Sequence, residues 1–142
     1  MAFTKPSYYN TCLWLSGHQS SIEINGVALE MGVNLAGGEW LEGIDAQILL
    51  LEGVGVQASL PRYFEKPGLQ MLARGEKRMA DHHVYTMIKT VYDVLVAYKE
   101  ADGQDPDNCL ANGFFIPSST LSPLGKDENE RFVYSVNFQT IR

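Results

Sequence analysis

One amphipathic segment constrains the fold of this chain more than any other. From residue 76 to about residue 99, apolar side chains recur three or four positions apart, which is the spacing of one face of a helix. This apolar stripe consists of Ala80, Val84, Met87, Ile88, Val91, Leu95 and Tyr98. Burying each large aliphatic side chain contributes about 1.5–3 kcal/mol, so the helix needs a partner surface. We expect it to lie on a sheet.

The strands of that sheet are predicted from alternation and from short apolar runs. Residues 131–141 have the period of a half-buried strand, with one face made of Phe132, Tyr134, Val136 and Phe138. Three further runs predict strands at residues 44–52, 69–74 and 113–116. The first two are expected to be antiparallel neighbours. Segments 53–67 and 117–130 are polar or contain proline, and are predicted to be loops.

The N-terminal third gives weaker patterns. Ser7 is a suitable N-cap for a short helix over residues 8–16. The dipeptide Asn25-Gly26 is favoured in two-residue hairpin turns because both positions tolerate positive φ, so a small hairpin is predicted there. The glycine pair at 37–38 is predicted to interrupt regular structure.

These elements predict an α+β fold of the α/β sandwich type. A mainly antiparallel sheet would carry one long helix on one face, with a short helix or hairpin at the N-terminal end. A chain of 142 residues suits one domain with its own core. We expect residues 1–142 to form that domain, with a core over residues 44–142 and an N-terminal region over residues 1–40 whose structure the pattern leaves open.

Composition and charge narrow the classes of function. Apolar residues make up 45 % of the chain and charged residues 20 %, a mixture typical of a packed domain. No apolar run approaches the roughly 20 residues of a membrane helix, and the start lacks a secretory signal, so we expect a cytoplasmic protein without membrane contact. With 17 acidic and 11 basic residues, the net charge is −6. This charge disfavours tight nucleic-acid binding but suits a surface that DNA slides past.

The glycine and histidine motifs favour structural roles. The glycines at 53–55 lack the third glycine and the helix of a dinucleotide site, and Gly125-Lys126 lacks the remainder of a phosphate loop. His82 and His83 are adjacent on the predicted helix, so their side chains point about 100° apart and are unsuited to one metal ion. Each motif is better explained as a turn or a solvated helix face.

The cysteines and loop acids give the same result. Cys12 and Cys109 are far apart in sequence and have no second ligand at metal-binding spacing, so two reduced, buried thiols are expected. The acids at 105–107 and 127–130 lack the alternating spacing of a calcium loop. We therefore predict no catalytic, cofactor-binding or metal-binding residue, and no enzyme.

Several short segments resemble bacteriophage tail terminator proteins, a family also known as minor capsid or tail completion proteins. The likeness runs through Ile48 to Gly53, Leu69 to Gly75, the long helix, and Leu124 to Glu128 leading into Tyr134 to Phe138. It covers residues 44–142. Family members open with a clear amphipathic helix, and the first forty residues here depart from that pattern.

The resemblance implies a structural virion protein rather than an enzyme. In this family six copies form a ring that caps the tail tube, stops its polymerisation and joins it to the head or neck. The implied partners are further copies of the chain, the tail tube protein and a head-completion or neck protein, and DNA would pass through the ring without specific binding. Six copies would carry a formal charge of about −36, which favours such passage if acids line the lumen.

Candidate interface residues come from the two long loops and from the motifs of the resemblance. A closed ring needs two different complementary surfaces on each subunit, and long loops are suited to reach a neighbour or the tube. The candidates for contact with another subunit or with the tube are Arg62, Tyr63, Phe64, Arg74, Lys126, Asp127 and Glu128.

Two other functions remain open on the sequence. Another head–tail connector, such as a neck or head-completion protein, would also be oligomeric but would bind the portal side. A small enzyme or ligand-binding module is a further alternative, for which a ligand-dependent thermal shift abolished by changing Asp81 or His83 would be the evidence.

Overall fold

The computed structural model describes residues 6–18, 22–53, 68–98 and 115–140, and within them the chain has an α+β fold. The elements, in chain order, are α1 Ser7–His18, β1 Glu23–Ile24, β2 Val27–Ala28, β3 Leu35–Gly37, β4 Gln47–Gly53, β5 Gly68–Arg74, α2 Asp81–Ala97, β6 Phe115–Pro117, β7 Ser122–Lys126 and β8 Phe132–Thr140. A long helix packs on a mainly antiparallel sheet, which confirms the predicted fold class.

The main sheet has six strands in the order β3-β4-β5-β8-β6, and β7 pairs with β8 as well. Strands β4, β5 and β8 are antiparallel over long stretches, with Leu50 opposite Met71 and Met71 opposite Val136. Strand β3 is parallel to β4. Because β5 occupies one side of β8, both β6 and β7 lie along its other side, at opposite ends of the strand. The predicted antiparallel pair β4–β5 is therefore confirmed.

The core lies between one face of this sheet and the two helices. Helix α2 buries the predicted stripe from Val84 to Leu95 because this face meets alternate side chains of β5 and β8. Helix α1 adds Cys12, Trp14 and Leu15 to the same cluster, and the Trp14 ring meets Tyr98 edge-on with ring centroids 5.1 Å apart. The predicted short N-terminal helix is thus confirmed, and it belongs to the core. It runs from Ser7 to His18, so Ser7 is its first residue and not the predicted N-cap.

The N-terminal hairpin is also confirmed, and its turn has the geometry that the sequence predicts. Asn25 and Gly26 have φ values of 53° and 75°, so both central positions are left-handed, as a two-residue turn between twisted strands requires. Strands β1 and β2 pair on either side of it, with Ile24 opposite Val27.

Helix α2 begins five positions later than the predicted start at residue 76. Arg78 has φ of 69° and Ala80 is extended, with φ of −65° and ψ of 146°, so neither residue continues a helix backwards from Asp81. Residues 76–79 form a turn, in which the Met79 amide donates to the Glu76 carbonyl at 3.0 Å. Ala80, which was assigned to the apolar stripe, is therefore exposed.

Two strands fall where the pattern predicts irregular structure. Strand β3 ends at Gly37, within the predicted break, and its three residues are too few to show a period. Strand β7 lies inside the predicted loop 117–130 and leaves nearly every side chain exposed. It also contains Pro123 and Gly125, residues that weaken any strand prediction. Hydrophobic alternation identifies strands with a buried face, and β7 has none.

Gly75 joins β5 to the turn before α2, and its lack of a side chain is needed for packing. A Cβ atom there would lie 2.5 Å from Cγ2 of Val84 and 3.0 Å from Sδ of Met79. We expect Gly75→Ala to lower the free energy of unfolding by about 1–3 kcal/mol, as overpacking does, measured by urea denaturation.

Gly17→Ala is the matched control, since Gly17 lies in α1 and an added Cβ would have nothing within 4 Å. Alanine is the better helix former, so this variant should be unchanged or stabilised by up to about 1 kcal/mol. Equal stability of the two variants would contradict the close packing of α2 against the end of β5.

Candidate functional site

The strongest concentration of polar contacts lies at one end of the sheet. Here β5 and β7 finish and β4 and β8 begin, so that Gln47, Arg74 and Val133 stand side by side on three adjacent strands. On the next strand, Lys126 pairs with Phe132. We call this region the charged end, defined by Asp45, Arg74, Asp127 and Arg131.

Arg74 is the last residue of β5 and is only 8 % exposed. Its Nε donates to the Asp45 carbonyl at 3.2 Å and its Nη2 to the Ile44 carbonyl at 2.8 Å. The guanidinium also lies over the Trp40 ring, 4.3 Å from the centroid. Burial and, after it, the charge of Arg131 lower the pKa of Arg74. The cation remains charged, because guanidinium does not lose its proton in proteins.

Gln47 holds the same loop from the neighbouring strand and is fully buried. Its Oε1 accepts from the Leu41 amide at 2.7 Å, and its Nε2 donates to the carbonyls of Leu41 and Ile44 at 3.1 and 2.6 Å. A buried backbone group without a partner costs about 1–3 kcal/mol, so these bonds hold the loop of residues 38–46 in one conformation.

Asp127 and Arg131 close the turn between β7 and β8. Arg131 Nε donates to Asp127 Oδ2 at 2.9 Å and Arg131 Nη1 to Asp45 Oδ1 at 2.8 Å. Asp127 Oδ1 accepts from the backbone amides of Asn129 and Arg131 at 2.9 and 3.0 Å. Desolvation raises the pKa of Asp127, but these hydrogen bonds outweigh it and place that pKa below its usual value. The β7–β8 turn is therefore joined to the loop of residues 38–46.

An open cleft of about 730 Å³ lies between this loop and β3. Its lining includes the half-buried side chains of Trp40 and Leu41, while Glu39 and Glu42 are exposed beside them. We call it the β3 cleft. Because Arg74 and Gln47 fix the loop that forms one wall, the cleft is preformed.

The predicted interface residues divide into two groups. Arg74, Lys126, Asp127 and Glu128 all lie at the charged end, and the other three candidates, Arg62, Tyr63 and Phe64, lie outside the described residues. Lys126 and Glu128 are exposed, whereas Arg74 is buried and engaged. Contact with another subunit or with the tube stays a prediction for all seven.

Sequence reasoning missed the residues that hold this site together. Gln47 is the first residue of β4, directly before the apolar run Ile48 to Leu51, which was a usable signal because a buried amide must find partners. Trp40 and Asp45 gave no local signal, because their partners are distant in sequence. Trp40 contacts Arg74, and Asp45 pairs with Arg131. Only the folded sheet brings these groups together.

The groups with possible chemical reactivity are otherwise engaged or isolated. His82 and His83 are exposed on α2, with ring centroids 4.3 Å apart. Both carboxylate oxygens of Asp81 lie 2.9 Å from the Tyr134 hydroxyl, and desolvation and then this bond raise the pKa of Tyr134. Within the four described ranges, no three His, Cys, Asp or Glu side chains are grouped to hold a metal ion.

Cys12 is buried as expected, and burial raises the pKa of its thiol to about 12. The thiol is therefore protonated and unreactive at neutral pH. Cys109 lies outside the described residues.

In the part of the chain with described coordinates, neither helix combines the length and apolar character needed to cross a bilayer. Comparison of the sequence with protein-family models and with curated proteins gave no significant match.

Replacing Gln47 by leucine tests whether its side chain holds the cleft wall. Gln47→Leu keeps the volume but leaves the amide and the carbonyl of Leu41 without the Gln47 partner, whereas the Ile44 carbonyl keeps Arg74. We therefore expect the free energy of unfolding to fall by about 1–3 kcal/mol and the Leu41 amide to exchange faster. Urea denaturation and hydrogen exchange measure the two effects. Gln70→Leu, a half-buried position on β5, is the control and should change stability by less than about 0.5 kcal/mol.

The Asp127 contacts predict a pH effect with a defined sign. Because the folded-state pKa of Asp127 is depressed, its stabilisation is complete above the unfolded value of 3.8 and is lost as pH falls through the lower folded value. We therefore expect Asp127→Asn to destabilise at pH 7 and the difference from wild type to shrink below pH 3.8, by denaturant unfolding at each pH.

Asp93→Asn provides the comparison, since Asp93 forms an exposed i,i+4 pair with Lys89. Exposed pairs of this kind contribute little to stability, because solvent screens the attraction between their charges. An Asp127→Asn variant no more destabilised than Asp93→Asn at pH 7 would show that the β7–β8 turn does not depend on the carboxylate.

Proposed function

We propose that this chain is a structural virion protein that forms a ring on the end of a bacteriophage tail tube, terminates tube polymerisation and joins the tail to the head or neck. The proposal rests on the resemblance to tail terminator proteins. Its partners would be further copies of itself, the tail tube protein and a head-completion or neck protein. It would be assembled in the host cytoplasm and reside in the virion.

The main support for the proposal is that the residues that carry the resemblance to tail terminator proteins lie together in the folded chain. Arg74 and Asp127 are 53 positions apart, yet both belong to the charged end. Arg74 holds the loop of residues 38–46, and Arg131 joins that loop to the β7–β8 turn. The matching segments therefore build one structural unit rather than separate turns.

This unit has the properties of a docking surface. The β7–β8 turn exposes Lys126, Glu128 and Glu130 while Asp127 and Arg131 fix its backbone. A surface that is ordered before binding loses little conformational entropy on association. Charged groups on such a surface also favour correct partners over incorrect ones. Both properties suit a subunit that must select the end of a tube.

The oligomeric state of the purified protein tests the proposal directly. We expect sedimentation velocity and native mass spectrometry to give a closed hexamer, and electron microscopy to show it on the ends of tubes polymerised from the tail tube protein of the same phage. A chain that stays monomeric at high concentration and does not bind tube ends would contradict the proposal.

Particles made without this gene separate a terminator from another connector. Overlong or unattached tails are the expected result, because nothing would stop tube growth. Tail-free heads that leak DNA would instead assign the chain to the head-completion or neck side.

A further inference from the structure

The two edges of the main sheet have different surfaces. At one edge, the β3 cleft combines an apolar lining with exposed Glu39 and Glu42. At the other edge, β7 leaves Leu124 58 % exposed. Four strand spacings separate β3 from β7, which is about 19 Å, so the two surfaces do not overlap. One molecule can therefore use both at once.

Leu124 is the most exposed of the large apolar side chains in the described segments. It stands between Pro123 and Gly125, where the pairing of β7 with β8 shifts register. Proline lacks an amide donor and a bulge distorts the strand, so this edge is unsuited to pairing with a further strand. A partner would contact the Leu124 side chain rather than extend the sheet.

Charge adds a second criterion. Lys126 follows Leu124 by two positions on the same strand, and its ammonium contacts the Phe132 ring at 5.0 Å from the centroid. Lys126, Glu39 and Glu42 form no ion pair with any residue that the structure describes. An apolar side chain next to a lysine on one edge thus matches an apolar cleft next to two glutamates on the other.

We propose that β7 of one copy docks into the β3 cleft of the next copy, with Leu124 packed against Trp40 and Leu41 and Lys126 beside Glu39 and Glu42. This contact is heterologous, because it joins two different surfaces. A pair of copies still has one free β7 and one free β3 cleft. Repetition around an axis closes a ring. The inference rests on the proposed function and specifies the subunit interface of that ring.

The cleft is suited to this role because it does not have to form on binding. Gln47 and Arg74 hold the loop that carries Glu39, Trp40 and Glu42. A preformed pocket that takes one apolar anchor is the arrangement in which few residues dominate binding energy.

Substitutions on one surface at a time test the proposed contact between β7 and the β3 cleft. We expect Leu124→Asp, and separately the double variant Glu39→Lys/Glu42→Lys, to weaken self-association by about tenfold or more in sedimentation velocity. Val96→Asp is the matched control, since Val96 is 44 % exposed on α2, away from both surfaces, and should leave association unchanged. All of these positions are exposed, and circular dichroism melting curves should confirm that each variant is folded.

Mixing the two defective variants gives the sharper result. The Leu124→Asp protein keeps an intact cleft, and the Glu39→Lys/Glu42→Lys protein keeps an intact β7, so one productive contact remains between them. We expect a 1:1 heterodimer that grows no further, visible by native mass spectrometry. Adding Lys126→Glu to the Glu39→Lys/Glu42→Lys variant should restore self-association, because the charges again become opposite.

The failures of the two proposals are distinguishable. A hexameric wild type with an equally hexameric Leu124→Asp variant would overturn this pairing and leave the ring intact. Loss of assembly in Val96→Asp as well, with both variants folded, would overturn it too. A wild-type chain that stays monomeric and fails to bind tube ends would overturn the ring and the pairing together.

Discussion

The buried guanidinium of Arg74 is the interaction on which the charged end of this molecule depends. Removing a cation from water is costly unless it gains partners. Arg74 gains the carbonyls of Ile44 and Asp45 and the face of Trp40. Those partners all belong to one loop, so the requirement to satisfy the cation determines the conformation of that loop. The shape of the β3 cleft and the link from Asp45 to Arg131 follow from it.

A second cation extends this arrangement across the sheet. Arg131 is held between Asp45 and Asp127, which connects the loop before β4 to the turn before β8. Burial and then the nearby charge of Arg131 lower the pKa of Arg74, while the carboxylates of Asp127 and Asp45 act in the opposite direction. The charged end is therefore a connected set of four side chains rather than two separate ion pairs. Loss of Arg74 would leave the Asp45 carbonyl without its donor, and loss of Asp45 or Asp127 would leave the mostly buried Arg131 cation poorly compensated.

The elements that could be predicted from the sequence are those whose side chains face the core. Helix α2 and strand β8 were predictable because burial on one face imposes a period on their apolar residues. Strands β4 and β5 were predictable because they are short runs of mainly buried, apolar residues. Strand β3 is too short to show a period, and β7 has no buried face. Helix α2 starts later than predicted because the charged residues before Asp81 are compatible with a helix, yet Arg78 adopts positive φ. Within the site, Arg74 and Asp127 were named, but their partners Trp40 and Asp45 are set by tertiary contact alone.

The position of β8 in the chain has a consequence for the timing of folding. This strand pairs with β5, β6 and β7, and it is the last element that the structure describes. During synthesis, the earlier strands therefore wait for β8 before the sheet can be completed. Contacts between residues so distant in sequence, such as Ser7 with Thr140, make folding slow because the entropy of closing the intervening chain is lost before the contact can compensate for it. Neither β7 nor the Arg131 link can be in place before then, so the contact surface proposed at β7 would form only after translation has passed β8.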